Sequence, residues 1–402
     1  MSLDLGRAAL QIGGMASDLS SRNHRHRSRL LNAVRNLQTF NVDTHTLWRK
    51  EAAPDMTWNV PTIEEFPGIR KDPDVLPADS RIVSVDGSHI DVDRHLAAPC
   101  FLINIGHSVL TYGSNPDAKL GSEPSLFARD DELVIKDPDS HREQSIEGAV
   151  LSAKRSVGEI RKVVDIVSGL SDQIPTLALV DGSMLMMGLS NTHYQDFVLR
   201  ELVEDGFARA LDELERIGRT RPFAIAGYIS MPRHSEVVRA IKTTMCTNLD
   251  IEQRRCETSS LDNGQCDSCV GGVLDRELFS DYLRVGQRSA IFGTSSQSVD
   301  RYYRGHEIKF FYVNVGEEIG RVELPEWVVR DERLLKLVHS LVVDQCRLGR
   351  GYPVSLMESH EQAVVSGSDR RFFVELVEKS MRDEGLKVYT SEKARSKRVR
   401  WL

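Results

Sequence analysis

The sequence lacks long apolar segments. No run of about 18 apolar residues, the minimum for a membrane-spanning helix, occurs in its 402 residues. The first residues, MSLDLGRAALQIGGMASDLSS, carry acidic and polar side chains where a secretory signal would be uniformly apolar. We therefore expect neither membrane insertion nor export, and we expect the chain to act in the cytoplasm.

An excess of positive charge is also missing. Lys and Arg number 52 against 59 for Asp and Glu, which gives a net charge of −7. Binding to a polyanion such as nucleic acid must then depend on local basic patches. Two segments offer them, the arginine-rich stretch 22–35 and the C-terminal tail 391–402. Taken alone, each is more simply interpreted as a solvated face or a frayed terminus.

Cysteine is scarce, and the six present do not indicate a disulfide framework in a chain this long. Cys100 and Cys346 stand alone in apolar segments and are predicted to be buried thiols. The other four are spaced C-x9-C-x9-C-x2-C, at Cys246, Cys256, Cys266 and Cys269. Only the last pair has the interval usual for zinc, so a structural Zn²⁺ is favoured, while free thiols and an iron–sulfur cluster stay open. Zinc closed in by four thiolates would stabilise the segment without taking part in catalysis.

The remaining composition is that of an ordinary globular protein, 40% hydrophobic and 28% charged, without repeats or low-complexity tracts. We predict a helical N-terminal segment and linker over residues 1–79, followed by one domain over 80–402. That domain contains a cysteine-bearing insertion at 246–288 and ends in the basic tail.

Apolar patterning predicts an α/β fold for the domain. RIVSVDGS is predicted to be a buried strand ending in an acid, and PCFLINIG and HSVLTYG to be two strands joined by a glycine turn. A helix is predicted from Glu143 to about Ser168, then the strand PTLALVDGS, a helix over residues 195–218 and the strand PFAIAGYIS. After the insertion, strand patterns at SAIFGTS, IKFFYVNVG and GRVELPEW precede three C-terminal helices.

Two of the predicted strands end in the same tripeptide, Asp-Gly-Ser, beginning at Asp86 and Asp181. A single Asp-Gly is more simply a turn in which the carboxylate bonds its own backbone. Two on matching apolar strands favour a carboxylate site, because the glycine after each acid lets a ligand approach the backbone. Carboxylates suit Mg²⁺ and Mn²⁺, and a pair of such ions can activate water and stabilise the leaving oxygen of a phosphodiester.

Glu159, on the predicted helix between these strands, is a candidate third carboxylate. Glu143 and Glu147 compete for the same role. By itself, Glu159 is more simply interpreted as a surface residue paired with Arg155 or Lys162.

The segment GRGYPVSLMESHEQAVV places Tyr352 in a loop and His360 on a short predicted helix. A histidine titrates near neutral pH, so His360 is either a metal ligand or proton carrier, or a hydrogen-bonded structural residue. Spacing alone does not decide between these roles.

From about residue 80 to its C-terminus the sequence resembles the NurA family of nucleases. The matching segments include SVDGS, KRSVGEI, PTLALVDGSM, FFYVNVGEEIGRVELPEWV, GRGYPVSLMESHEQAVV and SEKARSKR. The resemblance implies a ribonuclease H-like mixed sheet flanked by helices and a Mn²⁺-dependent (or Mg²⁺-dependent) nuclease that cuts DNA and resects its ends. It also implies a homodimer that works with the hexameric ATPase HerA, in DNA repair or in defence against phage.

Position by position, the resemblance implies that Asp86 and Asp181 hold the ions and that Glu159 completes the cluster. His360 would bind a metal or transfer a proton, and Tyr352 would position the phosphate or the histidine. The residues expected to contact DNA are Arg155, Lys393, Lys397, Arg398 and Arg400.

The alternative is a noncatalytic DNA-binding adaptor that uses the cysteine insertion and the basic tail to load a translocase. Three acids would repel DNA and serve no purpose in an adaptor, which favours the nuclease. Metal-dependent cleavage distinguishes the two functions.

Overall fold

In a computed structural model, the chain is described over residues 4–52, 60–91, 98–190, 194–245, 269–294 and 300–386. Its contacts divide it into two compact units. The first comprises Met1–Asp72, Ser230–Ser295 and Lys309–Val322, and the second comprises Pro73–Ile229, Ser296–Ile308 and Glu323–Leu402. None of the described helices combines the length and the apolar character needed to cross a membrane.

The chain is of mixed α/β type. Its helices are α1 (Leu5–Gln38), α2 (Val42–Ala52), α3 (Gly148–Ser168), α4 (Met187–Ser190), α5 (Asp196–Leu199), α6 (Arg209–Gly218), α7 (Glu236–Met245), α8 (Asp275–Tyr282), α9 (Glu326–Arg330), α10 (Glu332–Leu348), α11 (Val354–Ala363) and α12 (Gly367–Asp383), with a π-helical segment, Arg200–Ala208, between α5 and α6. Its strands are β1 (Thr62–Ile63), β2 (Ser80–Ile90), β3 (Phe101–Tyr112), β4 (Asp117–Phe127), β5 (Val134–Lys136), β6 (Glu143–Ser145), β7 (Thr176–Asp181), β8 (Phe223–Ile229), β9 (Phe292–Gly293), β10 (Ile308–Asn314) and β11 (Ile319–Pro325).

The first unit packs α1 against α8. Leu30, Ala33 and Leu37 recur at helical spacing on α1 and are buried. Beside them, Arg27 pairs with Asp281 at 2.7 Å on α8. Part of the arginine-rich stretch is therefore used in packing within this unit.

The second unit is built on strands in the order β4-β3-β2-β7-β8. β2, β3 and β4 form an antiparallel meander. β7 runs parallel to β2, and β8 runs parallel to β7. The buried core lies between these strands and the helices α3 and α6.

Helices cover both faces of this sheet at β3. A β-carbon on Gly106 would lie 2.3 Å from Ala363 N and 2.4 Å from Ser359 O, both on α11, while the side chain of Ile105 contacts Gly158 on α3. Because neighbouring strand residues point to opposite faces, α3 and α11 lie on opposite sides. Asn104 secures α11 by donating from Nδ2 to the Ala363 carbonyl at 2.9 Å.

Two predictions about the first strands were wrong. The expected pair of strands around Gly106 is one strand, β3, and the following β4 was missed. Glycine at 106 serves close contact with α11 and not a turn. β4 is exposed along almost its whole length, so it lacks the apolar pattern of a buried strand.

The acid-containing strand and the first helix also have different limits from those predicted. β2 does not stop after Asp86 but continues to Ile90, because its pairing with β3 continues to Ile90 opposite Leu102. The predicted helix beginning at Glu143 starts at Gly148. Residues 143–145 instead form β6, whose backbone groups pair with β5 and are not available to a helix.

We expect Gly106→Ala to lower the free energy of unfolding by about 1–3 kcal/mol, because the added methyl group meets the backbone of α11, which cannot rotate away. Thermal or urea unfolding measures the effect. Gly158→Ala is the matched control, since its β-carbon meets only the Ile105 side chain at 3.5 Å. That control should be neutral or stabilising by up to about 1 kcal/mol. Equal stability of Gly106→Ala and the unaltered chain would contradict the close packing.

Candidate active site

Asp86 and Asp181 lie at matching positions on neighbouring parallel strands. The parallel pairs of β2 and β7 run from Arg81 opposite Thr176 to Val85 opposite Val180. Each acid is the next residue after the last pair. Since adjacent strands are about 4.8 Å apart and the two acids have the same parity, their side chains emerge side by side on one face.

His360 approaches this face from α11. Its Nδ1 lies 2.6 Å from Asp86 Oδ2, while the other oxygen, Oδ1, accepts a hydrogen bond of 2.7 Å from the Gly87 amide. His360 is exposed, whereas Asp86 is half-buried. The histidine is thus coupled to the carboxylate and also open to solvent.

Tyr352 meets the second acid. Its hydroxyl donates to Asp181 Oδ1 at 2.8 Å. The ring of Tyr352 stands edge-on to Tyr228, with centroids 5.6 Å apart. Tyr228 is fully buried on β8, directly opposite Asp181 in the β7–β8 register. The hydroxyl is therefore aimed by ring packing as well as by the hydrogen bond.

Glu159 approaches β2 from α3, at Gly87, the residue after Asp86. A β-carbon on Gly87 would lie 2.5 Å from Glu159 Oε1, so the backbone of β2 can pass beneath the carboxylate only where the residue is glycine. Glu159 is 8% exposed. Glu143 and Glu147 are exposed, and Glu147 precedes the first residue of α3, about 18 Å from Glu159 along the helix axis. Of the three candidate glutamates, Glu159 is the one that lies against Gly87, the residue after Asp86.

Arg155 lies one helical turn before Glu159 and faces the site. Its Nη1 donates to the Gly87 carbonyl at 2.8 Å, and its Nε lies 3.2 Å from Glu159 Oε1. The ion pair between Arg155 and Glu159, the simpler interpretation of the sequence, is present. These contacts hold the glutamate and β2, whereas the sequence suggested contact with DNA.

Burial and mutual repulsion raise the pKa of two of the acids. Loss of water is the main cause that raises the pKa of Glu159 from 4.5 to about 7; Arg155 opposes this rise, and the charges of Asp86 and Asp181 contribute to it. Asp181 keeps contact with solvent, yet desolvation still raises its pKa, opposed by the Tyr352 hydrogen bond and reinforced by Asp86. The site is short of positive charge.

The donor set suits a hard divalent cation, although the described residues contain no group of three or more Asp, Glu, His or Cys side chains already close enough to hold a metal. All three acids offer carboxylate oxygens, the ligands preferred by Mg²⁺ and Mn²⁺. Glu159 Oε1 is buried and accepts no hydrogen bond. A cation would relieve both the repulsion between the acids and this unsatisfied oxygen.

Other residues singled out in the sequence lie apart from this site or outside the described residues. Cys100 and Cys346 are buried thiols, as predicted, and Cys269 is half-buried. The residues that lie outside the described part of the chain are Cys246, Cys256, Cys266, Lys393, Lys397, Arg398 and Arg400. The four-cysteine zinc site stays a prediction.

Sequence reasoning missed one functional candidate, Glu323. This carboxylate lies on β11, is 1% exposed and accepts hydrogen bonds from the loop after Asp181. The sequence did contain a sign of this role, an acid inside the otherwise apolar strand pattern GRVELPEW. A charged residue that is buried needs partners, so such an acid is a candidate for a structural or functional contact.

The fold and the site define a mixed α/β protein with an acidic centre where the parallel pairing of two strands, β2 and β7, ends. A NurA domain model matches residues 80–365, more than half of the chain. The chain therefore belongs to the NurA family, which is generally one of nucleases, and the family predicted from the sequence is confirmed.

Two further comparisons add little. An Argonaute of Aquifex aeolicus is similar over 71% of this chain and 28% of that one, at 11% sequence identity and a TM-score of 0.26. The chain thus spans about 28% of that protein, and so low a score carries no argument about fold or function. No curated protein matches the chain.

The raised pKa of Glu159 predicts an unusual pH dependence of stability. The folded state holds the Glu159 proton more tightly than the unfolded state, so this stabilisation is complete below about pH 4.5 and is lost as pH rises through about 7. Without divalent metal at pH 8, we expect Glu159→Gln to be more stable than the unaltered chain by on the order of 3 kcal/mol. Urea unfolding at pH 4.5 and pH 8 measures this difference.

Glu147→Gln, an exposed change on the same helix, should leave both unfolding curves unchanged. Indistinguishable pH profiles for Glu159→Gln and the unaltered chain would show that Glu159 is ordinarily solvated.

Proposed function

We propose that this chain is a metal-dependent deoxyribonuclease that hydrolyses phosphodiester bonds and resects DNA ends. The observation that supports this proposal most is the position of Asp86 and Asp181, each directly after the last residue pair between β2 and β7. Glu159 is buried against Gly87, the residue after Asp86. Such a group of acids is costly in an apolar setting unless a cation joins it. A DNA-binding adaptor has no use for it.

We assign the second unit to the ribonuclease H-like fold. Support comes from its strand order, β4-β3-β2-β7-β8. In chain order, β2, β3 and β4 form an antiparallel meander, and β7 and β8 run parallel to β2. In this arrangement the centre of the sheet carries the first acid and its parallel neighbour carries the second.

In this proposal Asp86, Asp181 and Glu159 hold Mn²⁺ or Mg²⁺. The ions would activate a water molecule and stabilise the leaving oxygen when bound. His360 is hydrogen-bonded to Asp86 and is exposed, so in this proposal it carries a proton between the site and solvent or the departing oxygen. Tyr352 orients Asp181 through its hydroxyl, which favours a positioning role over direct contact with the phosphate.

Binding to DNA should be weak for the isolated chain. Its net charge is −7, and affinity for duplex DNA depends on the number of phosphates that Lys and Arg neutralise. Arg155 is already bonded within the site. We assign the phosphate contacts to the basic tail, with Lys393, Lys397, Arg398 and Arg400.

We expect Asp86→Asn and Asp181→Asn each to lower cleavage of end-labelled linear DNA by about 10²-fold or more in Mn²⁺, because each removes a charge that would hold the ion. The assay compares Mn²⁺, Mg²⁺ and chelator in a time course. Glu147→Gln serves as the control and should cut like the unaltered chain.

Full activity of either Asn variant would refute the site assignment. Absence of cleavage by the unaltered chain in either metal, with DNA binding retained, would instead favour the adaptor.

We further propose that a homodimer of this chain acts with a HerA-type hexameric ATPase, in DNA repair or phage defence in the cytoplasm. The support is family membership together with the unfavourable net charge. A nuclease that grips DNA weakly needs a translocase to feed the strand into its site.

We expect such an ATPase to coelute with the chain in size exclusion and, with hydrolysable ATP, to raise degradation of long linear duplex at least about tenfold. A nonhydrolysable ATP analogue is the control, and it should support association without the increase. The partnership would be rejected by separate elution together with processive digestion by the isolated chain.

A further inference from the structure

The loop that follows Asp181 is tied to a buried carboxylate on another strand. Glu323, on β11, is 1% exposed. Its Oε2 accepts a hydrogen bond of 2.7 Å from Ser183 Oγ and one of 2.9 Å from the Met184 amide. Both hydrogen bonds end on the same buried oxygen, so Glu323 holds the side chain of one loop residue and the backbone of the next.

The same loop is fixed at two further points. Gly182 has a φ of 94°, in the left-handed region that favours glycine, and its amide donates to the Tyr228 carbonyl at 2.8 Å. Downstream, the Tyr303 hydroxyl donates to the Met184 carbonyl at 3.1 Å and accepts from the Met186 amide at 2.9 Å. The Glu323 contacts lie between these points, two and three residues after Asp181.

Removal of the Glu323 carboxylate would leave the Met184 amide without its acceptor. Met184 is fully buried, so water cannot readily replace the lost partner, and the loop would have to move to satisfy it. Asp181 is the last residue of β7, directly before this loop, and so would move with it.

We infer that Glu323 is a positioning residue that fixes the Asp181 carboxylate beside Asp86 through the Ser183–Met184 loop. The catalytic part of this inference rests on the proposed function, because it matters only if Asp181 acts in the site. Glu323 itself is too deeply buried to touch DNA. Its effect should therefore appear in kcat and in metal dependence, while KM for DNA is unchanged.

Three variants and a control test this role in the full chain. Glu323→Leu should lower kcat by about 10²-fold, as expected for a misplaced reacting group, and should raise the Mn²⁺ concentration for half-maximal activity. Glu323→Gln keeps an acceptor oxygen and should recover most of the activity. Ser183→Ala loses one of the two hydrogen bonds and should lower kcat by less than about tenfold. Glu326→Gln, which removes a charge paired with Arg330 at 2.8 Å nearby, should change nothing.

A purely structural role would reduce the yield of folded protein but leave the Mn²⁺ dependence and kcat per folded molecule unchanged. That result would overturn the inference. Glu323→Gln and Ser183→Ala keep the test decisive if Glu323→Leu fails to fold.

Hydrogen exchange gives a readout that does not need activity. In Glu323→Leu, or in Ser183→Ala to a smaller extent, amide exchange over residues 182–186 should become about tenfold faster than in Glu326→Gln, while exchange in β7 before Asp181 is unchanged. Unaltered exchange over this loop would overturn the anchoring by Glu323. Faster exchange with no cleavage by the unaltered chain would keep the anchor and reject the proposed function instead.

Discussion

Parallel pairing of β2 with β7 is the constraint on which the site depends. The strands come from distant parts of the sequence, yet their pairs end at Val85 opposite Val180, so the next residues are both aspartates. A shift of one residue would turn one acid to the opposite face of the sheet, because strand side chains alternate. The residues before each acid are buried in this pairing.

Two glycines let helices approach these strands closely enough to complete the site. Gly87 leaves room for Glu159 from α3, and Gly106 lets the backbone of α11 pack directly on β3. α11 in turn carries His360, whose contact with Asp86 depends on how near the helix lies. Glycine, which has no side chain, is thus found where two elements must come within contact distance.

The buried acid of this site also destabilises the fold locally. Glu159 is buried with an oxygen that accepts no hydrogen bond, and its pKa is raised by loss of water first and by repulsion from two aspartates second. Such an arrangement persists because the strands and helices around it are held by a large apolar core. Violations of the ordinary rules of burial are expected at functional sites and need compensation elsewhere in the fold.

Strong local patterns were legible in the sequence. The secondary structure of β7, β8 and α3 was predicted correctly from the apolar runs of the strands and the periodic apolar stripe of the helix. Burial imposes those patterns directly. β4 was missed because an exposed strand has no such stripe. Gly106 was misread as a turn because glycine gives the same local signal whether the chain reverses or another backbone packs against it.

By itself, the sequence determined the family, the two aspartates that follow apolar strands, and the residues from which a third acid would come. Only the tertiary structure decided that Glu159 lies against Gly87, that Arg155 bonds to Gly87 and Glu159, and that Glu323 accepts hydrogen bonds from the loop after Asp181. These contacts join residues far apart in the chain. Their spacing in sequence leaves no periodic signal, and register and helix packing set them only once the chain has folded.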